Sequence, residues 1–405
     1  MPLALPRPFF LALQEDFNQI EDPRVERTRL HCLADILLLS LASICCGAES
    51  YEDIQVWSMA HGTEALRELL GVALENGIPH HDTFRRVLSR LKPESLQSQL
   101  EQLRHTIAPP KHIAVDGKFL NGSHKKGKNP LCLLSVFATE ANLVIGQKKV
   151  DVKSNEIPAA QEILALLCLK GSTVTADAMH CQKETAQVIR KQGGDYLLAV
   201  KENQGKLYEA IVSLFKNNTG TVAVEQVCLA EKNRGRIEVR QGSLVRIDDW
   251  LPSDDPLRVW CDWHSVLCLE SERKYTQRGE EKSSYFVRYY ITSHALDVTS
   301  LMGFARSHWG IENSLHWVLD VSFGEDASRI RTDYGAHNMA SLRRLSHHLL
   351  SRVSPSDVCG ENAPSAIAKM SMKKRRKWAG WRNDYLQAVL RGQERETKPE
   401  KEIGE

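Results

Sequence analysis

Three acidic residues stand in frames suited to metal-assisted chemistry. They are Asp116 in His112-Ile-Ala-Val-Asp-Gly-Lys118, Asp177 in Thr173-Val-Thr-Ala-Asp-Ala-Met-His180, and Glu312 in His308-Trp-Gly-Ile-Glu-Asn313. The first two end short β-type runs, and the third lies in a helical pattern. Two-metal phosphoryl transfer needs several oxygen ligands converging on one point. Asp, short and stiff, suits a strand end; Glu, with longer reach, suits a helix approaching from the side. Gly117 is expected to leave room for a phosphate beside the backbone. The arrangement implies phosphoryl transfer on a nucleic acid, with two Mg²⁺ or Mn²⁺ ions held by Asp116, Asp177 and Glu312. Asp320 and Asp326 compete with Glu312 for the third ligand position.

His308, Glu312, His316 and Asp320 recur at intervals of four and so share one helical face. A zinc site there would lack the general-base Glu of a His-Glu-x-x-His motif and would leave the strand acids without a role. His308 and His316 therefore read as hydrogen-bonding to DNA or to Glu312, and Trp309 and Trp317 as core. Lys118, Lys125, Lys126 and Lys128 crowd the segment after Asp116. They fit either a soluble hairpin tip or contacts to phosphate. Lys201, Asn203 and Gln204 follow a strand end, the edge at which open α/β sheets bind ligands. Arg234, Arg236 and Arg240 form a further basic set, with Arg236, Glu238 and Arg240 on one strand face. Lys373 to Lys377 is a dense basic run that serves as a solvated face or a second phosphate contact.

The elements that must carry these groups are legible in part. Residues 1–108 read as all-helical, with helices at Leu30–Cys46, Tyr51–His61, Glu64–Leu74 and Thr83–Arg90, the last capped by Asp82 or Thr83. The basic Thr83–Arg90 helix fits a helix-turn-helix or a plain amphipathic helix. Pro109-Pro110 ends the helical grammar. Strands follow at Ile113–Val115, Leu131–Thr139 and Leu143–Val150, then a helix at Asn155–Leu167 capped by Asn155. A strand at Ser172–Ala176, a helix at Cys181–Gln192 and a strand at Tyr196–Val200 complete the pattern. Three antiparallel strands followed by two parallel additions is the order of an RNase H-like α/β core. After the Gly205–Phe215 helix, four β-type runs at Val222–Leu229, Arg236–Ile247, Leu257–Leu269 and Ser284–Thr292 read as a β-rich insertion at about 220–295. This insertion accounts for the long interval before Glu312. The Glu312 helix spans Ser300–Val318, with more helix at Asn338–Arg352 and Ala363–Trp378. The catalytic unit is expected at 109–352, and a basic helical segment with a polar tail at 353–405.

The 405 residues are 42% hydrophobic and 26% charged, enough for two or three domains with a real core. The net charge of only +2 does not announce a nucleic-acid partner; the local basic clusters carry that suggestion. Ten cysteines lie without any Cys-x-x-Cys, which predicts a reducing cytoplasm, no disulfide framework and no zinc. The apolar run Ile36–Cys46 is too short to span a membrane, so no membrane association is expected.

Four stretches together resemble a DDE transposase of the bacterial insertion-sequence type, in the H-repeat-associated subgroup linked to Rhs elements. They are Ile113-Ala-Val-Asp-Gly-Lys118, Thr175-Ala-Asp-Ala-Met-His180, Asp195-Tyr-Leu-Leu-Ala-Val-Lys-Glu-Asn-Gln204, and the run from Ser307 to Asp320. The resemblance covers about Phe17 to Arg352. It implies metal ligation by Asp116, Asp177 and Glu312, and a helical N-terminal associated domain. It also implies DNA partners (element ends and target) and a dimer or larger synaptic complex. Related enzymes carry Tyr-x2-Arg-x3-Glu-x6-Lys around the third acid, where this chain has Ala305, His308, Glu312 and Leu319. His308 is thus a candidate replacement for the Arg as a DNA contact, and the Lys has no counterpart at that spacing. A nuclease of the same fold without strand transfer, and a decayed relative that only binds DNA, are the other functions compatible with these residues.

Overall fold

A computed structural model describes residues 9–103, 108–124, 129–150, 156–217, 220–233, 236–277, 280–359 and 364–391. Asp116 lies in, and Asp177 directly after, strands of a nine-stranded sheet of order β3-β2-β1-β4-β5-β9-β8-β7-β6. Its strands are β1 His112–Leu120, β2 Leu131–Ala138, β3 Leu143–Val150, β4 Thr173–Ala176, β5 Asp195–Val200, β6 Glu225–Asn233, β7 Arg236–Arg246, β8 Ser265–Gln277 and β9 Glu280–Thr292. β2 pairs antiparallel with β1 and β3, while β4 pairs parallel with β1 and β5. Helices Glu156–Ala165 and Lys183–Lys191 make the crossovers to the parallel strands. This is the RNase H-like core expected from the sequence.

The β-rich segment joins the same sheet. β9 pairs antiparallel with β5, and β8, β7 and β6 follow as an antiparallel meander. The run expected as a strand over Leu257–Leu269 begins only at Ser265. Before it, the chain turns at 252–258, and Arg258 pins that turn by donating to Asp248 and to the carbonyls of Ile247 and Leu251. Leu257 and Trp260 pack on the core from this loop, so their apolar character does not report a strand.

The N-terminal helices surround Leu33–Cys45, all of whose 13 residues are buried. A helix apolar on every side belongs at the centre of a bundle. Its one acid, Asp35, accepts hydrogen bonds from the Ala73 and Leu74 amides, each at 3.1 Å. The helix expected to start at Thr83 starts at His81, and His80 rather than Asp82 or Thr83 caps it by accepting from the Asp82 amide. Helix Gly335–Arg352 packs against both Leu33–Cys45 and β3, so one apolar cluster runs from Leu13 to Leu390. Among the described residues, no helix is long and apolar enough to cross a membrane. The residues expected to hold the Asn155 cap, Lys125, Lys126, Lys128, Arg234 and the acidic tail lie outside the described residues.

Candidate active site

Asp116 is the fifth residue of the nine in β1, not its last as the short β-type run predicts. The parallel partner β4 ends at Ala176, opposite Val115, so Asp116 stands where β1 loses that neighbour. Asp177 is the next residue of the β4 segment and precedes a short 3-10 turn at Ala178–His180. Continued by one residue, the β1–β4 register brings Asp177 beside Asp116.

A helix running alongside β1 supplies the third acid. It begins at Val298, capped by Asp297, whose side chain accepts from the Ser300 amide. It continues as a π-helical segment Ile311–His316 and resumes as Trp317–Phe323. Side chains of a strand alternate, so His112, Asp116 and Lys118 project on the face this helix covers. From His112 to Asp116 to Lys118 a strand advances ~13 and then ~7 Å. From His308 to His316 to Asp320 a helix advances ~12 and then ~6 Å. The two ladders therefore match, rung for rung. In an α-helix four residues overshoot one turn by ~40°. The wider π turn falls short of that and brings His316 back into line.

Two rungs are direct polar contacts, and on the first Thr175 stands between His112 and His308. On the central one, His316 Nδ1 lies 3.6 Å from both Asp116 Oδ2 and Glu312 Oε2. One ligand atom from each of Asp116, Glu312 and His316 falls within 4.8 Å of the others. Asp177 stands outside that cluster and faces His308 Nε2 at 3.7 Å. Burial, then the nearby Glu312 and Asp177 charges, push the Asp116 carboxyl up to about 8. His316 holds the Glu312 carboxyl below its usual range. His308 does the same for Asp177, helped by the charge of Lys201. Like charges crowded at this distance retain a proton unless a cation replaces it. The donor set of two carboxylates and one imidazole, with Asp177 alongside, fits a hard divalent cation of the Mg²⁺ or Mn²⁺ kind.

Several expectations are revised by these contacts. His316 is only 4% exposed and is turned to the acids, so burial removes it from any DNA surface. Lys118 is 7% exposed; its ammonium lies 2.8 Å from Asp320 and 3.3 Å from Asp326. It is thus consumed internally, and the same ion pairs take Asp320 and Asp326 out of competition with Glu312. Gly117 points to the opposite sheet face, where an added Cβ would lie 2.7 Å from the buried Glu156 carboxylate. The glycine makes room for Glu156 rather than for a phosphate. Trp309 and Trp317 are exposed rather than core; Arg288 stacks 5.0 Å over the Trp309 ring. Asn203 is exposed, but its amide donates at 2.7 Å to the Ala178 carbonyl and so braces the turn after Asp177. Gln204 likewise donates to the Cys181 carbonyl at 2.8 Å. Lys201 is exposed at the rim of a cleft of about 880 Å³ that opens on Asp177 and is also lined by Tyr208, Arg288 and Tyr289. Arg236 lies in β7, and Arg240 bonds to Glu231 and Glu238 instead of standing free. Within the C-terminal basic run, Arg376 is buried while Lys373, Lys374 and Lys377 are exposed. Thr175, which no motif marked, lies between His112 and His308, 2.7 and 2.9 Å from their nearest ring nitrogens. Its place two residues before Asp177 on an alternating strand was the available signal.

An RNase H-like sheet with acids at the β1–β4 junction defines the class of protein. The chain belongs to the DDE transposase family: the family described as Transposase DDE domain matches residues 107–349, and the one described as DDE_Tnp_1-associated matches 14–103. It is similar to the "H repeat-associated putative transposase YhhI" of Escherichia coli K12, with 34% identity over 389 residues, 94% of this chain and 98% of the relative. The YbfD relative of the same strain, also described as H repeat-associated, is 38% identical over 245 residues, 59% of this chain and 96% of its own length. A solved piggyBac transposase synaptic complex with hairpin DNA aligns over 95% of this chain and 81% of its own, with 10% identity and a TM-score of 0.41.

Proposed function

We propose that the chain cleaves DNA at the ends of its own element and joins the freed 3′-hydroxyl to target DNA. Asp116, Asp177 and Glu312 would hold two Mg²⁺ or Mn²⁺ ions. The observation that supports this most is the convergence of Asp116, Glu312 and His316 within 4.8 Å, on the sheet edge where Asp177 follows β4. Such ions, when bound, neutralise phosphate charge and activate the attacking and leaving oxygens.

The chain's own residues define the remaining work. Asp116 is fixed by β1 and by its neighbour's amide, Gly117 N donating to Oδ1 at 2.9 Å. Glu312 reaches it from the helix, and His316 braces both acids from a buried position. The cleft beside Asp177 offers Lys201 and Arg288 to phosphates and the half-buried Tyr208 to a base or sugar. Catalysis then consists of positioning and charge neutralisation, with no covalent protein–DNA intermediate. Two element ends must be held together, so the acting unit is a dimer or larger synaptic complex of this chain on DNA.

The test uses the purified protein and plasmid DNA carrying its gene with both flanks. Wild type in Mg²⁺ cleaves at the flanks, and added pre-cleaved ends become joined to target. Asp116→Asn lowers cleavage by ~10³-fold or more, the scale of removing one member of a catalytic unit, while DNA retention in a gel shift stays within about twofold of wild type. Equal loss of cleavage and binding would sink the site assignment. Cleavage without joining of pre-cleaved ends would reduce the activity to that of a nuclease.

A further inference from the structure

Asp177 is the most loosely held of the three acids. Its side chain is 62% exposed, and His308 Nε2 lies 3.7 Å from its Oδ1. An exposed carboxylate past the end of a strand turns freely unless something restrains it. His308, by contrast, is anchored. Its Nδ1 lies 2.9 Å from Thr175 Oγ1, and the same hydroxyl lies 2.7 Å from His112 Nε2. His112 Nδ1 in turn lies 2.9 Å from Thr139 Oγ1. Four side chains from β1, β4, the end of β2 and the covering helix thus form one line ending at Asp177.

One polarity fills every position of this line. Thr139 donates to His112 Nδ1, His112 Nε2–H to Thr175, and Thr175 O–H to His308 Nδ1. His308 is left with its N–H on Nε2, directed at Asp177. Burial supports the neutral state at the far end: it pushes the His112 imidazole down to about 3. His112 and Thr175 are 1% and 3% exposed, so water does not compete for these bonds.

We propose that Thr139, His112, Thr175 and His308 act as a positioning relay that fixes the orientation of Asp177 for metal binding. This rests on Asp177 being a metal ligand, and the experiment separates the two ideas. Mn²⁺ binding by the full chain is followed by electron paramagnetic resonance and calorimetry, without DNA. Thr175→Val keeps the shape of the side chain and removes the hydroxyl; it is expected to weaken one of the two Mn²⁺ by about tenfold, the usual scale for losing a group that orients a ligand. Thr175→Ser restores affinity to within about twofold of wild type. His308 gives an independent pair at the partly buried Asp177 end of the relay. His308→Gln keeps a donor near the Nε2 position and retains affinity, while His308→Asn is too short and loses it. Asp177→Asn abolishes the same Mn²⁺ site. If Asp177→Asn loses the site while Thr175→Val and His308→Asn bind as wild type, the relay is wrong and the metal site stands. If Asp177→Asn itself binds two Mn²⁺ as wild type, the metal site fails, and the relay with it. Melting curves of each variant exclude unfolding, and if Thr175→Val does not fold, the His308 pair decides.

Discussion

Asp116 and Glu312 behave as a pair that shares a proton. The pair loses its last proton near the Asp116 value of about 8. Divalent metal competes with that proton, so metal affinity is expected to rise with pH and to level off above about 8. Below that value each metal uptake releases close to one proton, measurable by calorimetry in buffers of different ionisation enthalpy. The same shift has a sign for folding. A carboxyl raised from its ordinary 3.8 to about 8 costs the metal-free protein stability as pH rises through that window. Asp116→Asn removes this cost and should raise the melting temperature of the metal-free protein at pH 8 by about 2–4 °C. Added Mn²⁺ should stabilise wild type and not this variant. A fall in melting temperature for Asp116→Asn would mean that the acids are structural partners and not a strained site. At this scale the sequence picked out the three acids as candidates, left His316 divided between DNA and Glu312, and did not mark Thr175. His316 and Thr175 carry no motif that separates a buried brace from a DNA contact.

At the scale of elements, the site depends on β1 and the Glu312 helix lying in register. Lys118 ties them: its buried ammonium binds Asp320 on the helix and Asp326 in the loop beyond. The Asn121 amide group adds a bond to Asp326 at 2.8 Å. Lys118→Met leaves two carboxylates facing one another with their cation gone. It is expected to destabilise by about 2 kcal/mol, the scale of a lost charge-assisted bond, and to lower cleavage by letting the helix slip. Urea denaturation and cleavage assays read both. Unchanged stability would show that the pair is cosmetic. The π segment at Ile311–His316 is the second device. Deleting Ser314 removes the extra residue that widens this turn, rotating Asp320 away from Lys118 relative to Glu312. Helix content by circular dichroism should stay near wild type while Mn²⁺ binding is lost.

Across the whole molecule, the C-terminal helices are part of the core and not an appended basic arm. Arg376 donates to the carbonyls of Ile44, Ser322 and Ala48, and stacks 4.3 Å over Phe323. Arg344 and Glu325 form a pair with both side chains at 0% exposure, 2.8 Å apart. These arginines tie the central N-terminal helix, the end of the Glu312 helix and Gly335–Arg352 into one body. Arg376→Ala removes the guanidinium donor from the buried Ser322 and Ala48 carbonyls, leaves the Ile44 carbonyl with its Gly47 amide alone, and should destabilise by about 3–5 kcal/mol. Arg376→Lys should rescue little, since an ammonium cannot meet three carbonyls in one plane. Denaturation midpoints decide this. A small effect would return the Lys373 to Lys377 run to the role of a surface patch, of which only Lys373, Lys374 and Lys377 now retain the exposure.

The sequence by itself determined the RNase H-like strand order and picked out Asp116, Asp177 and Glu312 as the candidate site. It did so because strand alternation, helix periodicity and Pro109-Pro110 are local signals that need no partner to be read. It also located the β-rich segment that separates Asp177 from Glu312, though not that this segment would extend the central sheet. What only the tertiary structure decided is which polar side chains face one another. In the chain Lys118 reads as a hairpin-tip lysine or a phosphate contact, and His316 as bonded to DNA or to Glu312, because they lie beside acids in basic or helical runs. They are buried because the strand and the helix advance at commensurate rates, bringing residues some 200 positions apart onto the same rung. Gly117 reads as a phosphate notch until the pleat turns it toward Glu156. Distance in sequence carries no information about such pairings; the meeting of two surfaces with different periods does.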